Sequence, residues 1–244
     1  MADTSQLTAA VSGRSCERYA DVLNKLDAVA AALDARDGLS WFNRLYRAMT
    51  EAVVKHAARG AFQDPPFLET LDCVFADLYF GAIRDHLVDG SEPRAWTPLF
   101  DARAQQGIAP LQFAVAGMNA HINRDLVAAL LTTFEKFGGE PARGSARHND
   151  YQRINAVLSE VHVQAKAFLF SELLSEIDEH LGRADDIAEL WSLERARDAA
   201  WVGLEVQWQL RPLPWLASGQ FAALDKLVGC TGRCLLQPLL PTAR

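Results

Sequence analysis

The stretch over residues 111–137 limits what this chain can fold into more than any other. Wound at 100° per residue, it places apolar side chains on nearly every side, which a surface helix does not do. It is far too long for one strand. Its centre is too polar to cross a bilayer, because His121, Arg124 and Asp125 interrupt the apolar run. What remains is a helix buried inside a shell of other helices. A second stretch has the same character: Val74, Phe75, Ala76, Asp77, Leu78, Tyr79 and Phe80 point in almost all directions around one Asp.

The rest of the chain can supply that shell. It holds 39 Ala and 32 Leu against 21 Val plus Ile, the balance of a helix former rather than a sheet former. No alternating run of strand length occurs. Punctuation predicts helices over about 16–35, 41–59 (after a Ser40 cap), 65–87 (Asp64 cap, then Pro65), 96–105, 111–137, 150–180, 184–209 and 220–227. Residues 140–147 read as a surface loop. The expectation is an all-α fold: a single helical-bundle-like domain of about eight helices over 16–228, with two central, nearly all-apolar helices. Residues 1–15 read as a flexible N-terminus and 229–244 as an irregular tail.

Several functions are disfavoured. With 24 Lys+Arg against 31 Asp+Glu, the net charge of −7 does not suit a nucleic-acid partner. No segment suits a secretory leader or a membrane span, so a cytoplasmic, membrane-free location is expected. Dinucleotide fingerprints, phosphate-binding loops, the nucleophile elbow and His-Glu-x-x-His are absent. Cys16 and Cys73 stand alone, and Cys230 and Cys234 lack the further ligands a zinc site needs. They read as reduced thiols.

Candidate chemistry concentrates in the central helix. His121 and Asp125 are i and i+4 and share a face, with Met118 beside them. Asn119 and Asn123 form a second such pair, turned by roughly 160° from the first. Gly117 weakens a helix interior by about 1 kcal/mol and implies the close approach of a helix or ligand. Three readings are open. The four residues form a satisfied polar core. Or His121, tuned by Asp125, is a general acid or base while Asn119 and Asn123 position a substrate oxygen. Or His121 and Asp125 bind a divalent metal with help from Asp77 or another helix. Asp77 is either a functional carboxylate or an acceptor for a neighbouring Tyr, Trp or Arg. Tyr46 and Thr50, also i,i+4, could reach a central cavity, and Arg197 matters if it turns inward. His162 on the long helix reads as structural, and Trp201 and Trp208, seven apart, as core.

The ten residues Gly117-Met-Asn-Ala-His-Ile-Asn-Arg-Asp-Leu126 resemble the hallmark of a bacterial helical family catalogued only as a domain of unknown function. Leu45-Tyr46 with Thr50, Phe62-x-Asp64-Pro65, Phe75-Ala76 before Tyr79, and Arg197 four residues before Trp201 are similar to other parts of it. The resemblance covers about 39–208. It implies an all-helical domain whose shared polar residues converge, and it brings no reaction, substrate or cofactor.

Two functions of different class follow. One is an enzyme acting on a small, fairly apolar molecule in a cavity between helices, through His121 and Asp125, with or without a metal. The other is a non-catalytic helical module that binds a ligand or partner around a structural polar core. The enzyme needs a cavity reaching His121. The structural core needs every polar group paired. Asp77, Asn119, His121, Asp125 and Tyr46 are expected to meet at one site.

Overall fold

The computed structural model describes residues 4–158 and 192–238, and among these every regular element is a helix. They are α1 (Thr4–Val11), α2 (Tyr19–Ala32), α3 (Gly38–Ala58), α4 (Pro65–Val88), α5 (Thr97–Ala102), α6 (Pro110–Ala120), α7 (Leu126–Phe137), α8 (helical over 146–158), α9 (Leu193–Leu210) and α10 (Pro214–Leu235). None of the described helices is long and apolar enough to cross a membrane. The predicted continuation of the long helix past residue 158, with His162, His180 and Gly182, lies outside the described residues.

Local chemistry sets the boundaries. Asp64 accepts from the Phe67 amide at the start of α4, with Pro65 at the first helical position. The cap of α3 is Asp37, which accepts from the Leu39 amide at 3.0 Å, so the helix begins before the predicted Ser40. α7 ends where Gly138 adopts φ 71°, a conformation costly for any residue with a Cβ.

The central helix is built as expected, with one change. Between α6 and α7 the backbone widens into a single π-turn, His121–Asp125, in which the Leu126 amide bonds back to the His121 carbonyl. Nearly every residue of α6 is buried. α3 packs most extensively on α6, and two glycines make this possible. The Phe42 ring of α3 lies where a Cβ on Gly117 would stand, and the Phe113 ring of α6 does the same over Gly38. The weak helix former Gly117 is therefore explained by helix approach.

Both ends depart from expectation. Within the segment read as flexible, residues 4–11 form α1, with Leu7 and Val11 buried. Much of the segment read as an irregular tail continues α10 to Leu235. α10 is fastened to segments far from it in sequence. Gln112 Nε2 donates to the Leu235 and Gln237 carbonyls, both at 2.7 Å, and Asp225 accepts from the Arg94 and Ala95 amides at 3.1 Å. Gly and Pro in that stretch suggested a break, but Gly229 instead admits the backbone at Arg94, and Gly232 lies beside the ring of Pro98.

Candidate functional site

The π-turn carries His121 and Asp125 together into the core, at 1% and 0% exposure. Asp125 is acceptor-only, so His121 Nδ1, at 3.1 Å from Oδ2, holds the proton of that hydrogen bond. Trp96 Nε1 donates to the same oxygen at 2.8 Å, and Arg124 Nη1 donates to Oδ1 at 2.6 Å. Both carboxylate oxygens of Asp125 are thus engaged. The imidazole is clamped as well: Phe75 stacks on it with ring centroids 3.5 Å apart, and Tyr46 meets it edge-on at 4.6 Å. Burial pushes the His121 imidazole below its ordinary range, and Asp125 opposes that shift only in part. The ring is therefore neutral near pH 7, with its lone pair on Nε2.

His121 lines a cavity of about 70 Å³, enough for more than one water. α3 contributes Tyr46, Met49, Thr50 and Val53 to its wall, and α4 contributes Leu68, Leu71, Asp72 and Phe75. The central helix adds Met118, His121, Ile122 and Leu126, and the remainder comes from Ile154, Leu158, Leu193 and Arg197. Most of the wall is apolar. Among the residues of this wall, Asp72 Oδ2 and His121 Nε2 are enclosed with no hydrogen-bond partner among the described residues, and the enclosed hydroxyls of Tyr46 and Thr50 have only each other. Buried polar atoms are rarely left so. Burial, helped by the nearby Glu69 charge, pushes the Asp72 carboxyl up to about 7. Burial likewise raises the Tyr46 phenol well above its usual range, with Asp72 adding to the effect.

The predicted residues divide sharply. His121, Tyr46 and Arg197 line the cavity, and Asp125 stands directly behind His121. Asn119 and Asn123 do not reach it. Asn119 Nδ2 donates to the Val228 carbonyl at 3.0 Å, and Asn123 Nδ2 donates to Asn119 Oδ1 at 3.0 Å. The pair faces α10, as its rotation away from His121 requires, so its expected part in substrate positioning is corrected to holding that helix. Asp77 is not at the site either. It accepts from the Cys16 amide at 3.0 Å, pairs with Lys25 at 3.7 Å, and its side chain is 25% exposed. α4 is thus less enclosed than its apolar run suggests, and Asp77 serves the α2 side of it.

Asp72 takes the place expected of Asp77. The two are five residues apart, about 140° around the helix, and Asp72 shares its face with Leu68 and Phe75. That spacing was the available signal, hidden by the larger apolar run around Asp77. Trp96 and Arg124, which fix Asp125, carried no comparable signal.

Among the described residues, no set of ligands for a divalent metal is complete. His121 and Asp125 are bonded to each other, and Asp125 is also taken by Trp96 and Arg124. Among the described residues, no group of three or more His, Cys, Asp or Glu is placed to hold an ion.

The chain belongs to the family of unknown function DUF5995, whose model matches residues 19–238. No curated protein and no solved structure matches it.

Proposed function

We propose that this protein is an enzyme that moves a proton on a small, largely apolar molecule held in the cavity, with His121 as the base. The observation that carries this reading is the orphaned Nε2 of His121. Asp125 fixes the ring and its tautomer from behind, while the enclosed Nε2 has no partner among the described residues and the residue lines a cavity. A buried histidine kept for packing alone is cheaper with both nitrogens bonded.

In this reading His121 Nε2 takes a proton from the bound molecule, and Asp125 stabilises the imidazolium that forms. Asp72, whose carboxyl keeps its proton to about pH 7, faces the same cavity and suits the return of a proton to the developing product. Tyr46 and Thr50 offer hydroxyls to an oxygen of that molecule. The apolar wall keeps bulk water from competing for the proton.

The test needs no named substrate. A small-molecule extract is incubated with wild-type protein and with His121→Asn, and both are followed by untargeted mass spectrometry. The expected result is at least one compound consumed by the wild type and untouched by the variant, whose thermal midpoint stays close to that of the wild type. Identical profiles from the two proteins, across extracts of several sources, would overturn the reading. The alternative of a non-catalytic ligand-binding module predicts that outcome: compounds retained, none converted.

A further inference from the structure

Arg197 is the cavity residue whose charge does not depend on pH. It is 5% exposed. Its Nε donates to Asn155 Oδ1 at 2.6 Å, and Nη2 donates to the Tyr151 carbonyl at 2.8 Å. Its guanidinium carbon lies 4.1 Å from the centre of the Tyr151 ring, and the Tyr151 hydroxyl returns a bond to the Arg197 carbonyl at 2.7 Å. These contacts hold the fork in place, yet none brings a negative charge. The adjacent acid, Asp198, is exposed and accepts from Gln152 instead. Nη1 forms no hydrogen bond among the described residues. Burial lowers the pKa of the guanidinium, and Tyr151 and Asp198 offset this only in part. A buried cation is costly unless an anion is paired with it.

We infer that the cavity takes an organic monocarboxylate, its carboxylate on Arg197 and its hydrocarbon or aromatic body along Met49, Val53, Leu68 and Leu71. The inference rests on the acid–base reading of the same cavity and names its substrate class. Guanidinium and carboxylate match in shape and charge. Apolar side chains make up most of the remaining wall, which suits a body without further charges. A phosphate monoester fits less well. It carries close to two negative charges near neutral pH, and one cation balances only one of them. Arg197 and Ile154 come from α9 and α8, whereas Tyr46, Thr50 and Asp72 come from α3 and α4. A carboxylate on Arg197 therefore leaves the rest of the molecule to extend toward His121 and the hydroxyls.

Calorimetric titration of the full chain tests this with three matched pairs: butanoate and butan-1-ol, octanoate and octan-1-ol, phenylacetate and 2-phenylethanol. At least one acid is expected to bind tenfold or more tightly than its alcohol. In Arg197→Gln that preference should shrink to within twofold, while His121→Asn should keep it. Because Arg197 also braces Tyr151, a second measurement uses the wild type alone: the Arg197 side-chain NH resonances should move on adding the acid and stay put on adding the alcohol. Alcohols binding as tightly as acids, a preference that survives in Arg197→Gln, or no binding of any acid would each overturn the inference. The two proposals fail separately. His121-dependent conversion confined to neutral compounds removes the carboxylate and leaves the base. Arg197-dependent carboxylate binding without His121-dependent conversion removes the base and leaves the carboxylate.

Discussion

Asp72→Asn should make this protein more stable above neutral pH, although it removes a charge from a helix rich in apolar residues. The Asp72 carboxyl holds its proton up to about 7 instead of 3.8, because its surroundings penalise the charged form. Each pH unit of such a displacement corresponds to about 1.4 kcal/mol, so above pH 7 the folded state carries a cost of at most roughly 4 kcal/mol, lowered by the partial exposure of Asp72. The sign follows from proton counting. Between pH 3.8 and about 7 the unfolded chain has released the Asp72 proton while the folded chain retains it, so raising the pH favours unfolding. Asparagine has nearly the same shape and never ionises. Its amide is left as poorly partnered as the acid was, which brings the net gain to at most about 3 kcal/mol at pH 8. For a chain of this size that raises the thermal midpoint by at most roughly 6–12 °C. The assay is urea denaturation of both proteins, followed by circular dichroism, at intervals from pH 4 to pH 8. The variant's advantage should be small near pH 4, grow by at most about 1.4 kcal/mol per pH unit, and level off above 7. An advantage that does not vary with pH, or a variant less stable than wild type at pH 8, would refute the reasoning.

Two further substitutions separate the packing of the central helix from its chemistry. Gly117→Ala drives a Cβ into the Phe42 ring, which is itself wedged against Tyr79, Trp96 and His121. Overpacking of about 1–3 kcal/mol should outweigh the roughly 1 kcal/mol gained in helix propensity, and the NMR signals of His121 should shift; a more stable variant would count against the close packing. Asn119→Ala leaves the Val228 carbonyl and the Asn123 amide without their partner, a loss of about 1–3 kcal/mol. Hydrogen exchange should show α10 losing more protection than α3 or α4, with carboxylate affinity unchanged; a fall in affinity with α10 intact would return Asn119 to the binding site.

The fold was legible because its signals are local and repeated. Helix-forming composition, Asp-Pro starts and Gly stops recur along the chain, and a helix apolar on all sides can only be central. The ends were misread for the opposite reason. α1 is eight residues long with two buried anchors, and α10 owes its place to Gln112, Asn119 and the Arg94–Pro98 segment, none of them near it in sequence. At the site, i,i+4 spacing gave the His121–Asp125 pair and correctly put the two Asn side chains on another face. Spacing alone could not decide which face met a cavity and which met a helix. That is also why Asp77 drew attention and Asp72 did not: both carboxylates interrupt the same apolar helix, and only the positions of α2 and α3 around α4 tell them apart.

The strongest reason to regard the cavity as functional comes from how this chain treats its other buried polar groups. Asn43, 0% exposed, donates to the Leu26 carbonyl at 3.0 Å and accepts from the Tyr79 hydroxyl at 3.3 Å. Asp150, equally buried, accepts from the Gln63 and Asp64 amides at 2.8 and 2.7 Å. Asn119 and Gln112 close on backbone carbonyls of α10 and the residues after it. In each case a polar side chain in the core joins two segments and finds a partner for what it buries. Enclosed polar atoms without a partner among the described residues also occur elsewhere, at Tyr19 Oη, His148 Nε2 and Trp208 Nε1, but these are scattered, whereas around the cavity such atoms belong to the residues of one wall. Tyr46, Thr50, Asp72 and His121 sit on neighbouring helices of one wall; Asp72 and His121 each leave an enclosed atom unpaired among the described residues, and the hydroxyls of Tyr46 and Thr50 have only each other. Apolar side chains at Thr50 and Asp72, and Phe at Tyr46, would remove that cost without changing the helical pattern. A core selected only for stability has no use for such groups gathered on the wall of one cavity; a bound molecule that supplies the missing partners gives them one.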